Sequence, residues 1–119
     1  MHREVFGPFS LALSCETYGE IIDVITSLEG QLTGTIVANE ELLTTVEPFI
    51  EVLSERVGRI IFNGVPTGVE VCEAMHHGGP YPATTDSRFT AVGPHAVKRW
   101  LRPITFQNFP KEYIVNKKG

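Results

Sequence analysis

The sequence predicts an α/β fold: three layers around a parallel sheet core, read from three observations. Short β-branched or alternating apolar runs take turns with two stretches of helical periodicity, in the order strand, helix, strand, helix, strand. The intervening stretches are long enough to be crossover connections, which places successive strands parallel and right-handed. The chain has 119 residues, of which 42% are hydrophobic, enough for one core and too few for two ordinary domains.

From Phe9 to Leu13, Phe9, Leu11 and Leu13 share one face, which reads as a first strand. Glu16 and Thr17 then offer a helix start. Ile21, Ile22, Ile25 and Leu28 follow at helical spacing, and Gly30 stands where a helix ends in a left-handed turn. Leu32 to Ala38 is rich in β-branched residues and reads as a second strand, weakened by Gly34. Asn39 can cap the next helix, and Glu40 and Glu41 suit the positive end of its dipole. Leu42, Leu43, Val46, Phe49, Ile50, Leu53 and Val57 give this helix its apolar stripe. Pro48 lies inside it and is expected to kink or divide it, because proline lacks the amide proton and crowds the carbonyl four residues back. Gly58 closes the segment. Arg59 to Asn63 reads as a third short strand, buried on both faces.

Gly64 to Thr90 changes character. Four glycines and three prolines stand in it, so it is expected to be a long irregular loop, of a length that is usually functional or disordered. Pro94 to Leu101 reads as a short helix with Pro94 in its first turn. Ile104 and Phe106 alternate with Thr105 and Gln107, an edge-strand pattern with Pro103 at its beginning. Asn116 to Gly119 reads as a frayed end.

Composition excludes several functions. Ten basic residues against fourteen acidic ones give a net charge of -4, which leaves no cationic surface for a nucleic acid. No apolar run approaches the roughly 20 residues that cross a bilayer. No export signal is visible, and Cys15 and Cys72 form no Cys-x-x-Cys pair, so a cytoplasmic setting is expected. No metal site is expected: adjacent His76 and His77 point apart on regular structure, and no Asp, Glu or Cys lies at ligand spacing from them. Cys72 sits beside Glu73, which would raise a thiol pKa, and Cys15 ends an apolar strand. Both read as structural, so no catalytic residue is assigned.

Three segments remain: Arg3-Glu4-Val5-Phe6-Gly7-Pro8, Asn63-Gly64-Val65-Pro66-Thr67-Gly68-Val69-Glu70-Val71, and the run from His76 to Thr90. Together they resemble the C-terminal part of the aldehyde dehydrogenases, closest to the branch that oxidises 2-oxoglutarate semialdehyde (2,5-dioxovalerate). The resemblance covers nearly all of residues 3–110. It implies that Glu4 accepts hydrogen bonds from the ribose beside a nicotinamide and that Phe6 lies against that sugar. A carboxylate can take both ribose hydroxyl protons at once, so the role is chemically sound. Taken alone, the motif favours the plainer reading, Glu4 as a solvated turn residue and Phe6 as core filling; the agreement of the later segments reverses that preference.

By the same resemblance, Val65, Val69, Val71 and His77 line the loop that walls the aldehyde's approach, where an apolar surface excludes water. The plainer reading of Val69 and Val71 is packing beneath a surface loop. The Gly-rich turn reads His77-Gly78-Gly79-Pro80, where many family members carry Pro-Phe-Gly-Gly, so the usual pocket aromatic is replaced. The family's nucleophilic cysteine, general-base glutamate, oxyanion asparagine and dinucleotide-binding glycine turn all lie in an upstream part. In the complete enzyme the cysteine attacks the aldehyde, hydride passes to NAD or NADP, and water releases the acid.

The expectation is therefore a C-terminal segment, inactive alone, with no cofactor bound to this chain by itself. Its partners would be the missing N-terminal part of the same enzyme and further copies. Residues 1–101 would belong to the catalytic domain. Residues 102–119 would form an oligomerisation strand and tail, with Arg102 to Phe109 adding to a neighbouring subunit's sheet. The competing expectation is a stand-alone, non-catalytic binding or oligomerisation module built on the same fold.

Overall fold

The computed structural model describes residues 5–115. Strand β1 (Gln31–Ile36) pairs in parallel with β2 (Val57–Phe62), in a register running from Gln31 opposite Val57 to Ile36 opposite Phe62. A 3-10 turn, Glu40–Leu42, and helix α2 (Leu43–Ser54) connect them, a crossover of the kind a parallel pair requires. Helix α1 (Tyr18–Ser27) precedes β1, a 3-10 helix spans Pro94–Trp100, and a short helix α3 (Lys111–Val115) follows. The α/β class with a parallel sheet is thus what the residues form.

Helix α1 begins where side chains complete its first turn. Thr17 Oγ1 accepts from the Glu20 amide at 3.3 Å, and Glu20 Oε2 accepts from the Glu16 amide at 2.8 Å, a close variant of the capping box. Tyr18 then meets Phe49 of α2 edge to face, with ring centroids 5.6 Å apart. Helix α2 points Val46 and Leu53 into the core, where Val57 of β2 joins them; a spacing of seven keeps the two helix residues on one face.

Two expectations about this unit need correction. Asn39 holds the position before the 3-10 turn without a side-chain capping bond, and of the two outcomes expected at Pro48, a kink or a division, division does not occur, since α2 runs unbroken through it. Proline at this place removes a single hydrogen bond, to the carbonyl of Thr44 in the first turn, where the backbone can tilt outward. Gly34 is also more than a weak point. A Cβ there would stand 2.8 and 2.9 Å from the Leu53 methyls, so its absence lets α2 lie close on β1.

The Gly64 to Thr90 loop is irregular, as expected, but it is docked. A Cβ at Gly30 would collide with the Pro80 carbonyl, one at Gly58 with the Gly78 carbonyl, and one at Gly79 with the Gln31 carbonyl. Backbone therefore crosses backbone at the beginnings of both strands. Glycine is the residue that permits it.

Elsewhere the expected strands lack ladders. Residues 9–13 and 102–109 are in no strand, although their alternating patterns suit one. A strand pattern needs an edge to bond, and among the described residues β1 and β2 pair only with each other. Phe9, Leu11 and Leu13 stay more than half exposed. In the tail, Asn108 turns at φ 60°, and Phe106, Phe109 and Tyr113 gather instead, with centroid distances of 5.1, 6.5 and 5.2 Å.

The radius of gyration is 20.0 Å, against about 13.5 Å for a compact chain of this length. The accessible surface is 9912 Å², roughly 3,500 Å² above the norm for a folded monomer of this mass. An excess of that size equals what obligate interfaces bury. Among the described residues, Val46, Leu53 and Val57 are the buried large apolar side chains.

Candidate functional site

Backbone and hydroxyl hydrogen bonds fix the second half of the long loop. The His77 amide donates to Thr90 Oγ1 at 2.8 Å, and the His77 carbonyl accepts from the Ala91 amide at 2.9 Å. Thr90 is 4% exposed, and its hydroxyl in turn donates to the Val92 carbonyl at 2.8 Å. Buried hydroxyls are stable when donor and acceptor roles are both filled, as here. Thr84 Oγ1 donates to the Gly79 carbonyl at 2.7 Å, and the Ala83 amide to Pro80 at 2.8 Å. The Tyr81–Pro82 peptide is cis.

This frame surrounds an open cleft of about 190 Å³ lined by His77, Thr84, Thr85, Asp86, Phe89, Ala91 and Arg99. His77 makes no side-chain hydrogen bond, and its Nδ1 is occluded. With the Arg99 guanidinium and the Thr85 hydroxyl, the lining can take a small anionic group. The Asp86 carboxylate does not oppose this, because Arg88 already occupies it through Nε at 2.9 Å and Nη2 at 2.6 Å, while the Arg88 amide donates at 3.1 Å. The side-chain fork of Arg88, then its amide, hold the Asp86 pKa down at about 2, and the same bonds raise that of Arg88.

A second cleft, of about 220 Å³, lies across Phe89 and includes Met75, His76, Arg88 and Lys98. There His95 Nε2 stands 2.7 Å from Glu73 Oε2. The first half of the loop is held by Arg59 of β2, whose Nη1 donates to the Gly68 carbonyl at 3.1 Å.

Of the residues singled out from the sequence, His77 lies in a cleft. Val65 and Val71 are 75% and 77% exposed, Val69 is exposed as well, and these three line neither cleft. Phe6 is 92% exposed on the extended segment before α1, and Glu4 lies outside the described residues. Cys15 and Cys72 are free thiols. Among the described residues, no three His, Cys, Asp or Glu side chains are grouped for a metal ion, and no helix is long and apolar enough to cross a membrane. The sequence reading passed over Thr84, Thr90 and Arg99. It also missed Asp86-Ser87-Arg88, whose two-residue spacing is the signature of a side chain bonding its own backbone two residues on.

The comparisons agree with this segment's resemblance. Over 108 residues, 91% of the chain, it is 46% identical to the alpha-ketoglutaric semialdehyde dehydrogenase of Acinetobacter baylyi. Over 112 residues, 94% of the chain, it is 45% identical to alpha-ketoglutaric semialdehyde dehydrogenase 2 of Azospirillum brasilense. The chain spans 20% and 21% of the length of these relatives. No protein-family profile matches it.

Proposed function

We propose that this chain belongs to the aldehyde dehydrogenases as a C-terminal catalytic-domain segment, and that the protein it serves oxidises a short dicarboxylic semialdehyde to the diacid. One observation carries the reading: identity of 45–46% across nine-tenths of the chain to two alpha-ketoglutaric semialdehyde dehydrogenases. The roughly 3,500 Å² of surplus surface supports it, since polypeptide outside residues 1–119 would cover that surface.

In this reading the nucleophilic cysteine comes from outside the segment. NAD or NADP, when bound, supplies the hydride acceptor. The exposed Phe6 ring would lie against the ribose next to the nicotinamide, and Glu4, two positions earlier in the sequence, would accept from the ribose hydroxyls. Neither cleft carries a glycine-rich helix start that could hold a pyrophosphate. Val65, Val69 and Val71 would wall the aldehyde's approach once that side is covered, keeping water away from the reacting carbonyl. His77 would meet the carboxylate end of the substrate from its cleft, with Arg99 behind it. Residues 102–109 would gain a strand's hydrogen bonds from a neighbouring copy.

Calorimetric titration of the chain with NAD and NADP, alone and after co-expression with the upstream part of a relative, tests this. The chain alone is expected to show no micromolar affinity and no turnover, and the reassembled protein to oxidise 2-oxoglutarate semialdehyde. Micromolar binding or turnover by residues 1–119 alone would sink the reading.

A further inference from the structure

At the far end of the sheet from the docked loop, the two strands finish unequally. Asn63 follows β2 directly at φ 49°, a left-handed conformation that asparagine tolerates better than most residues. Its amide reaches across the ladder to the backbone of Ala38. Oδ1 accepts from the Ala38 amide at 2.9 Å, and Nδ2 donates to the Ala38 carbonyl at 2.8 Å. The Asn63 amide proton goes to the Ile36 carbonyl at 2.9 Å. The side chain thus extends the parallel pair by one rung beyond the last strand residue. Next in sequence comes Gly64, the successor that obstructs its own backbone nitrogen least.

We propose that Asn63–Gly64 is a latent deamidation site, silent while the hold on Ala38 is closed and reactive when the ends of β1 and β2 part. The Gly64 nitrogen forms a bond to Asn63 Cγ. The Gly64 amide proton and the side-chain NH2 leave together as ammonia, giving a succinimide. Water then opens the ring at either carbonyl, giving aspartate or isoaspartate. No redox partner or metal is required. In the closed state both amide atoms are engaged on Ala38, so Cγ is held across the ladder and is not free to turn toward its own successor.

The product cannot remake the hold. A carboxylate oxygen in place of Nδ2 faces the Ala38 carbonyl as a second acceptor, and the isoaspartate form also lengthens the backbone at the point where the long loop leaves the sheet. Each event therefore favours the open state that allowed it. Asn39 and Asn108 are followed by Glu40 and Phe109, whose side chains obstruct the same attack, and they serve as internal standards.

The test follows the full chain at neutral pH, folded and in guanidinium, by peptide mapping of the Asn63 peptide with isoaspartate labelling, and with circular dichroism of the folded sample. Two hydrogen bonds of ordinary net strength slow the folded reaction roughly ten- to hundredfold relative to the unfolded one. Ala38→Pro, which removes the amide that donates to Oδ1, raises the folded rate at least severalfold while the helical signal is kept. The proposal is overturned if a sample with intact helical signal deamidates at Asn63 as fast as the unfolded chain. It is overturned equally if Asn39 or Asn108 reacts as readily as Asn63 in guanidinium, or if helical Ala38→Pro protein shows the parent's rate.

Discussion

Replacing Gly58 by alanine is the sharpest probe of how the loop is held. The added Cβ would stand 2.5 Å from the Gly78 carbonyl carbon and 3.0 Å from Gly79 Cα, with the Gly78 oxygen nearer still. All three obstacles are backbone, so no rotamer change relieves the overlap. Overpacking costs about 1–3 kcal/mol in well-packed interiors, and a backbone obstacle places this case at about 3, a shift of roughly a hundredfold in the folding equilibrium. Gly34→Ala supplies the contrast. Its nearest obstacles all belong to the Leu53 side chain, the methyls at 2.8 and 2.9 Å and Cγ at 3.1 Å, which can shift as a unit, so its cost is about 1 kcal/mol. Guanidinium unfolding followed by circular dichroism measures both. Hydrogen exchange then locates the damage: in Gly58→Ala, the His77 and Ala91 amides lose protection while those of α2 keep theirs. If Gly34→Ala costs more than Gly58→Ala, or if the His77 and Ala91 amides stay protected, the docking of loop on strand starts has been misread.

Two further expectations concern charge and assembly. In a carboxyl NMR titration Asp86 is expected to show its midpoint at about 2, below the ordinary value of about 3.9, and Arg88→Gln is expected to return it toward that value. Because the folded pKa is depressed, the pair's contribution is present above the unfolded pKa and fades as pH falls through about 2; a midpoint near the ordinary value in the parent would refute the bidentate geometry. Deleting residues 102–119 is expected to abolish self-association, and an unchanged oligomer mass by light scattering would remove that role from the tail.

What the sequence disclosed was mostly local. Thr17 and the isoleucines after it announced α1, and the stripe from Leu42 announced α2, because capping and helical periodicity act within a few residues; that stripe was carried on to Val57 and closed at Gly58, both of which stand in β2. The resemblance to aldehyde dehydrogenases was also legible, in segments whose identity with the relatives extends over most of the chain. Contacts between distant residues were not. Nothing in the neighbourhood of Gly30 or Gly58 indicates that carbonyls of Pro80 and Gly78 lie over them, and the reach of Asn63 to Ala38 spans 25 positions. The patterns at 9–13 and 102–109 read as strands and the structure has none there, since alternation alone does not supply the edge that pairing requires. The cleft around His77 was half visible: the histidine stood out, whereas Thr84, Thr90 and Arg99 owe their place to the folded course of the loop.

The two-stranded ladder has a consequence for handling the protein. Gln31-Leu32-Thr33-Gly34-Thr35-Ile36 carries no charge and no proline, so its outer margin lacks the gatekeepers that discourage illicit zippering. Concentrated preparations would grow by templated stacking along that rim. A lysine at Thr35, whose side chain is exposed, would blunt such growth and leave the crossover beneath it undisturbed.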